Sequence, residues 1–125
     1  MELLNSNMNP HFTILYGDAT CEKDIWTKSN KDIVVSEFGA YVLNFPFVRN
    51  QGGVDTTFIT QIRLSTEDSL PSNMEPNVSC VATNWSVVSM TYTCELQARK
   101  TYHIFLRHSA SQTHIIDYRC HYAKL

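Results

Sequence analysis

No two cysteines in this 125-residue chain are spaced C-x-x-C, which argues against zinc knuckles and thioredoxin-like redox motifs. Glycine is scarce, at four residues, and none lies in Gly-x-Ser-x-Gly or in a phosphate-cradling loop. A nucleophile elbow and a nucleotide site both lack their backbone. The five histidines include no H-E-x-x-H. No apolar run reaches the roughly 18 residues of a membrane span. Net charge is −2 with no basic stripe, so nucleic-acid binding has little electrostatic footing. The opening MELLNSNMNP has neither a cationic flank nor a long apolar core, so it does not read as a signal peptide. Residues 1–10 are expected to be a flexible segment before one domain, 11–125. An amphipathic helical stripe is also missing.

Period-two alternation is present instead. In SVVSMTYTCEL (86–96), Val88, Met90, Tyr92, Cys94 and Leu96 alternate with Val87, Ser89, Thr91, Thr93 and Glu95. One face is apolar and the other mainly polar, as a half-buried antiparallel strand requires. GAYVLNFPFVR (39–49) places Tyr41, Leu43, Phe45 and Phe47 on a predicted core face. Pro46 removes a ladder donor and predicts a bulge or an edge. NQGG (50–53) is turn chemistry. TTFITQIRLS aligns Phe58, Ile62 and Leu64 with Thr60 among them. TEDSLPSNMEPN is a long polar loop with two prolines. TYHIFLRH and HIIDYRCHYAKL supply two closing strands, the second with Ile116, Tyr118, Cys120 and Tyr122 on one face. FTILY and KDIVVS add two shorter ones. Seven or eight one-faced strands without helices predict an all-β fold, a two-sheet antiparallel β-sandwich. An immunoglobulin-like Greek key and a jelly roll both fit that pattern. The positions of Trp26 and Trp85 relative to the cysteines weigh against the immunoglobulin form.

Four cysteines stand at wide spacings: Cys21, Cys80, Cys94 and Cys120. With the Asn-x-Ser sequons at Asn77 and Asn84, candidate glycosylation sites, they suit two disulfides in an oxidising compartment. The competing reading is four buried free thiols. The histidines His11, His103, His108, His114 and His121 give no catalytic spacing. His103 and His108 fall on opposite strand faces, as do His114 and Asp117. No catalytic residue, metal ligand or cofactor is therefore expected, and an enzyme is disfavoured.

The order of segments resembles the tumour necrosis factor (TNF) superfamily. IVVSEFGAYVLNFPFV (33–48) is similar to the family's short apolar strand followed by Gly-x-Tyr, with Gly39 and Tyr41 in those places. VVSMTYTCELQARKTYHIFLRH resembles its paired strands, and IDYRCHYAKL its aromatic-led final strand. Arg99-Lys100 stands where the family's turn has Gly-Asp, and Arg119-Cys120 where its last strand has a Gly. In length the chain is nearest to compact members such as the ligand of the glucocorticoid-induced TNF receptor.

The resemblance implies a jelly roll of TNF-like type and an extracellular, cytokine-type ectodomain, secreted or from a type II membrane protein. It implies a homotrimer and a cysteine-rich cell-surface receptor as partners. Nucleic acid is not a partner, and membrane contact comes only through an anchor outside this segment. Fourteen aromatic residues exceed what a small two-sheet core needs, and interfaces favour them. Expected contacts are loops 50–56, 65–76 and 107–114. Because a jelly roll sets its first and last strands side by side, the expected disulfides are Cys21–Cys120 and Cys80–Cys94, with Cys94–Cys120 as rival. The alternative function is a carbohydrate- or ligand-binding sandwich: a lectin, a complement-type head or a viral attachment head.

Overall fold

The described residues form eight strands: β1 (Thr13–Cys21), β2 (Thr27–Ile33), β3 (Gly39–Gln51), β4 (Phe58–Ser65), β5 (Val78–Ala82), β6 (Val87–Leu96), β7 (Tyr102–His108) and β8 (His114–Lys124). The computed structural model describes residues 11–52 and 55–125, and among them there is no helix. The segment 1–10, expected to be flexible, lies outside the described residues.

Two antiparallel four-stranded sheets pack face to face, ordered β1-β8-β3-β6 and β2-β7-β4-β5. The chain crosses from one sheet to the other at β1–β2, β2–β3, β3–β4, β5–β6, β6–β7 and β7–β8, which is the jelly-roll pattern. Alternation set this arrangement. Leu43 and Phe45 of β3, Ile62 of β4, Ile104 and Leu106 of β7, and Ile116, Tyr118 and Cys120 of β8 all point between the sheets and are buried. Each such aliphatic or aromatic side chain contributes about 1.5–3 kcal/mol on burial.

Several local expectations need correcting. The first strand runs on past Tyr16 to Cys21, and the second ends at Ile33 instead of continuing through Ser36. Strand β5 was not foreseen, because VSCVA is too short and mixed to declare itself. Pro46 does mark a bulge: the β3 registers with both neighbours shift between Asn44 or Phe45 and Phe47 or Val48. Yet β3 is a central strand, and the bulge changes which residue faces inward. Val48 is fully buried while Phe47 turns to the opposite face.

All four cysteines are free thiols. The first and last strands do pair, but Cys21 stands opposite His114 and Cys120 opposite Leu15. At about 3.4 Å per residue, the run from 114 to 120 separates the two cysteines by about 20 Å. A disulfide needs Cα atoms within about 7 Å. The rival Cys94–Cys120 fails as well, since β3 lies between β6 and β8. Burial pushes the Cys21 thiol up to about 11 and the Cys120 thiol up to about 12.

Candidate functional site

The two sheets present different outer faces. Across β2-β7-β4-β5, the loop 66–76 folds back over the strands. Trp26 Nε1 donates to Met74 O at 3.0 Å, Arg63 to Glu75 O at 2.7 Å, and Arg107 to Ser72 O at 2.5 Å. Asp68 meets Lys28 Nζ at 3.4 Å and His103 Nε2 at 3.6 Å. These anchors surround Phe105, whose strand partners are Lys28 and Arg63. Phe105 points outward, between His103 and Arg107, and is only 1% exposed. The loop is its cover. The Arg107 guanidinium also lies 4.3 Å over the Trp26 ring.

Among the described residues no loop folds over the outer face of β1-β8-β3-β6 in this way. The register sets Tyr16 beside Arg119 and Arg119 beside Phe47. The Arg119 guanidinium lies 5.8 Å from the Tyr16 ring and 5.1 Å from the Phe47 ring. One rung along, Arg49 grips Asp117 through two bonds of 3.2 and 3.3 Å, and Gln51 donates to the same carboxylate at 2.8 Å. Arg49 also stands 5.4 Å over Phe47. Between them lies an open groove of about 530 Å³, lined by Tyr16, Asp18, Phe47, Arg49, Asp117 and Arg119 among others. Ile14 and Ile115 lie on the same face and are each 47% exposed, and Tyr16 is 64% exposed. Phe47 reaches this face only because of the Pro46 bulge.

The expected site residues are scattered relative to this face. Loop 65–76 belongs to the opposite sheet. The described parts of loop 50–56 join loop 107–114 at one end of the sandwich, where Ser111 donates to the Asp55 carboxylate through its backbone N at 3.2 Å and through Oγ. Asn77 and Asn84 flank β5. Asn77 Oδ1 accepts from Leu64 N at 2.8 Å, and Asn84 Oδ1 from Gly52 N at 3.2 Å. His103 pairs with Asp32 at 2.7 Å on an outer face. His121 neighbours Phe12, with ring centroids 6.5 Å apart, and His11 is exposed. His108 and His114 are buried together, a pairing that strand-face arguments within single segments did not reach. Among the described residues no group of His, Cys, Asp or Glu is arranged to hold a metal ion.

No family model matches the chain, and no curated protein matches it. Among solved structures it is similar to Eiger TNF from S. frugiperda, with a TM-score of 0.50, 12% identity and 94% of each chain covered. At that identity the likeness shows the fold: a TNF-like jelly-roll sandwich.

Proposed function

We propose that this chain is an extracellular TNF-like ligand domain whose copies trimerise through the outer face of β1-β8-β3-β6 and bind a cysteine-rich receptor. The contrast between the two sheets carries this reading. One outer face has its aromatic covered by the chain's own loop; the other leaves Tyr16, Ile14 and Ile115 exposed and Phe47 half-buried among the described residues. A mixed aromatic and arginine face of this kind has the composition that interfaces favour. A second copy is the occupant that the TNF-like fold suggests. Receptor contact then falls to the loops 50–56 and 107–114 at the end of each subunit.

Light scattering on the purified chain tests the assembly. The expected mass is three times the 14.3 kDa of one chain, and Phe47→Asp and Tyr16→Asp are each expected to release monomers that keep a β-type circular dichroism spectrum. A wild-type monomer at tens of micromolar refutes the assembly. Surface plasmon resonance against TNF-receptor-type ectodomains tests the partner. Secretion from eukaryotic cells is expected to add glycans at Asn77 and Asn84, each removed by an Asn→Gln change and read as a mass shift.

The groove also favours a second reading. Arg119 has aromatic neighbours but no carboxylate partner among the described residues. A cation of that kind over an open groove suits an acidic sugar. Binding on a glycan array that is lost in Arg119→Ala, with no receptor binding, selects this reading over the first.

A further inference from the structure

At the end of the sandwich that bears loop 107–114, the interior turns polar. Asn50, Thr60, His108 and His114 are all buried there. Asn50 Nδ2 donates to Thr60 Oγ1 at 2.8 Å, and Thr60 is the strand partner of His108. The His108 and His114 rings stack with centroids 4.5 Å apart and planes 27° apart. The Phe58 ring closes against His114 at 4.9 Å and 87°.

The two imidazoles are bonded differently. Ala110 N donates to His108 Nδ1 at 3.1 Å, so Nδ1 carries a lone pair. The proton is therefore on Nε2, which donates to Cys21 O at 2.8 Å. The bonding of both nitrogens thus fixes His108 as a neutral tautomer. A second proton at Nδ1 would set N–H against N–H and break the bond to Ala110. His114 is fully buried, and among the described residues neither of its nitrogens has a hydrogen-bond partner. A charge there has no acceptor and stacks on another imidazole.

We propose that His108 and His114 form an acid-operated latch on the loop 109–113. Neutral, the pair holds the loop down through Ala110. In acid, opening the loop lets His114 take a proton that its buried, unpartnered site disfavours in the closed form, so protons drive opening. Among the described residues the loop's other ties are Ser109 N to Ile59 O at 3.0 Å, Ile59 N to Ser109 Oγ at 2.8 Å, the Ser111–Asp55 bonds, and the packing of Ala110 with Phe58 and Ala82. The titratable groups around the pair are Cys21 on β1, Lys23 and Asp24 in the loop after β1, and Asp55 in the loop before β4. The neighbouring residues of β3 and β4 (Asn50, Phe58 and Thr60) carry no charge. Burial, then the neighbouring His108, hold the His114 imidazole below its ordinary value, and Asp55 opposes them without prevailing.

The sign follows. A histidine kept neutral when closed and free when open takes up a proton on opening. Closure is fully stable above the open-state value, near 6.5, and weakens as pH falls below it. The latch is contained within one chain and does not depend on trimer assembly.

Amide hydrogen exchange followed by NMR between pH 7.5 and 5, corrected for intrinsic rates, tests the latch. Protection at Ala110 is expected to fall below about pH 6.5 by roughly tenfold per pH unit for each proton taken up. Leu43 and Ile104, which exchange only when the whole sandwich unfolds, are expected to stay far better protected than Ala110 throughout. His114→Phe, which places a non-titrating ring beside Phe58, is expected to make the fall shallower, whereas His103→Gln leaves it unchanged. Constant protection at Ala110, an Ala110 protected as strongly as Leu43 and Ile104 so that the loop opens only with the whole sandwich, or an unaltered fall in His114→Phe overturns the latch. If that variant does not fold, ¹⁵N-histidine spectra of the wild type decide. The expected result is an Nε2–H tautomer for His108 and a His114 still neutral in the closed form below pH 6.5. A His114 that protonates near 6.5 while Ala110 stays protected overturns it.

Discussion

Replacing Gly17 with alanine should destabilise the sandwich although Gly17 lies in ordinary extended backbone. Gly17 is the cross-strand partner of Tyr118. A Cβ on Gly17 would overlap the phenol end of Tyr118, closest to Oη and Cζ and 2.7 Å from Cε2. The ring has little room to yield. It is 2% exposed, lies 5.9 Å from the Phe45 ring at 61°, and its hydroxyl is 2.6 Å from Ser29 Oγ. Moving it costs about 1–3 kcal/mol of packing and about 0.5–1.5 kcal/mol for the hydrogen bond. Stiffening of the unfolded chain by alanine returns about 0.4–1 kcal/mol. The net expectation is a loss of about 0.5–4 kcal/mol, measured by urea unfolding with an unchanged m-value. Tyr118→Leu should cost stability by itself, but the double variant should be less destabilised than the sum of the two changes by at least about 1 kcal/mol. A Gly17→Ala midpoint equivalent to less than about 0.5 kcal/mol, or strict additivity in the cycle, refutes the reasoning.

Thiol titration with a disulfide reagent at pH 8 should modify Cys80 first and the desolvated Cys94 more slowly, leaving Cys21 and Cys120 unreactive until denaturant is added. Four equally fast thiols contradict this, and no reaction at Cys80 and Cys94 before reduction would reveal a bond between them. Arg107→Ala removes the stack on Trp26 and the bond to Ser72, so loop 66–76 should become a site of limited proteolysis at a cost of about 1–2 kcal/mol; an unchanged cleavage rate counts against the loop as cover for Phe105. Global stability should also decline as pH drops below about 6.5, because unfolding lets His114 take a proton that the folded state disfavours. His114→Phe should flatten that decline in chemical denaturation curves taken across the pH range.

Most of the architecture was legible in the alternation, because a strand with one wet face writes that face into every second residue. The clearest case, 86–96, became β6 with Met90 and Leu96 buried and Val88, Tyr92 and Cys94 packed against the core. Long strands declare themselves; β5, with five residues and an exposed Val81, does not. Cysteine positions misled for a related reason. The adjacency of first and last strands follows from topology, but whether two residues meet depends on register. A shift of a few residues along paired strands moves a sulfur by more than a disulfide spans. The Arg99 turn is a milder case. Its φ of 64° puts a non-glycine residue in the left-handed region where the TNF family has glycine chemistry, and Arg99 N is secured by Val35 O at 2.8 Å.

The candidate face was hidden because it is made of residues that single-strand reasoning assigns to the core or to solvent. Phe47 keeps the parity of Tyr41, Leu43 and Phe45, so alternation places it inside; one extra residue at Pro46 sends it out. Arg49 and Arg119 look like ordinary solvated cations until β3 and β8 are brought side by side, and only then do both stand over one phenyl ring. The same logic governs the two buried histidines. Each ends a strand bordering a polar loop, in opposite sheets, and the sandwich folds them onto each other. In both places the functional signal lies in a deviation from regular strand geometry: a bulge on the outer face and a sheet-to-sheet crossing at the end. A sequence pattern averages such deviations away. Deleting Pro46 removes the extra residue and sets Phe47 next to Phe45, where plain alternation keeps it on the outer face; the deletion variant should therefore still self-associate wherever the fold survives, and a folded but monomeric deletion variant would show that the bulge itself shapes that face.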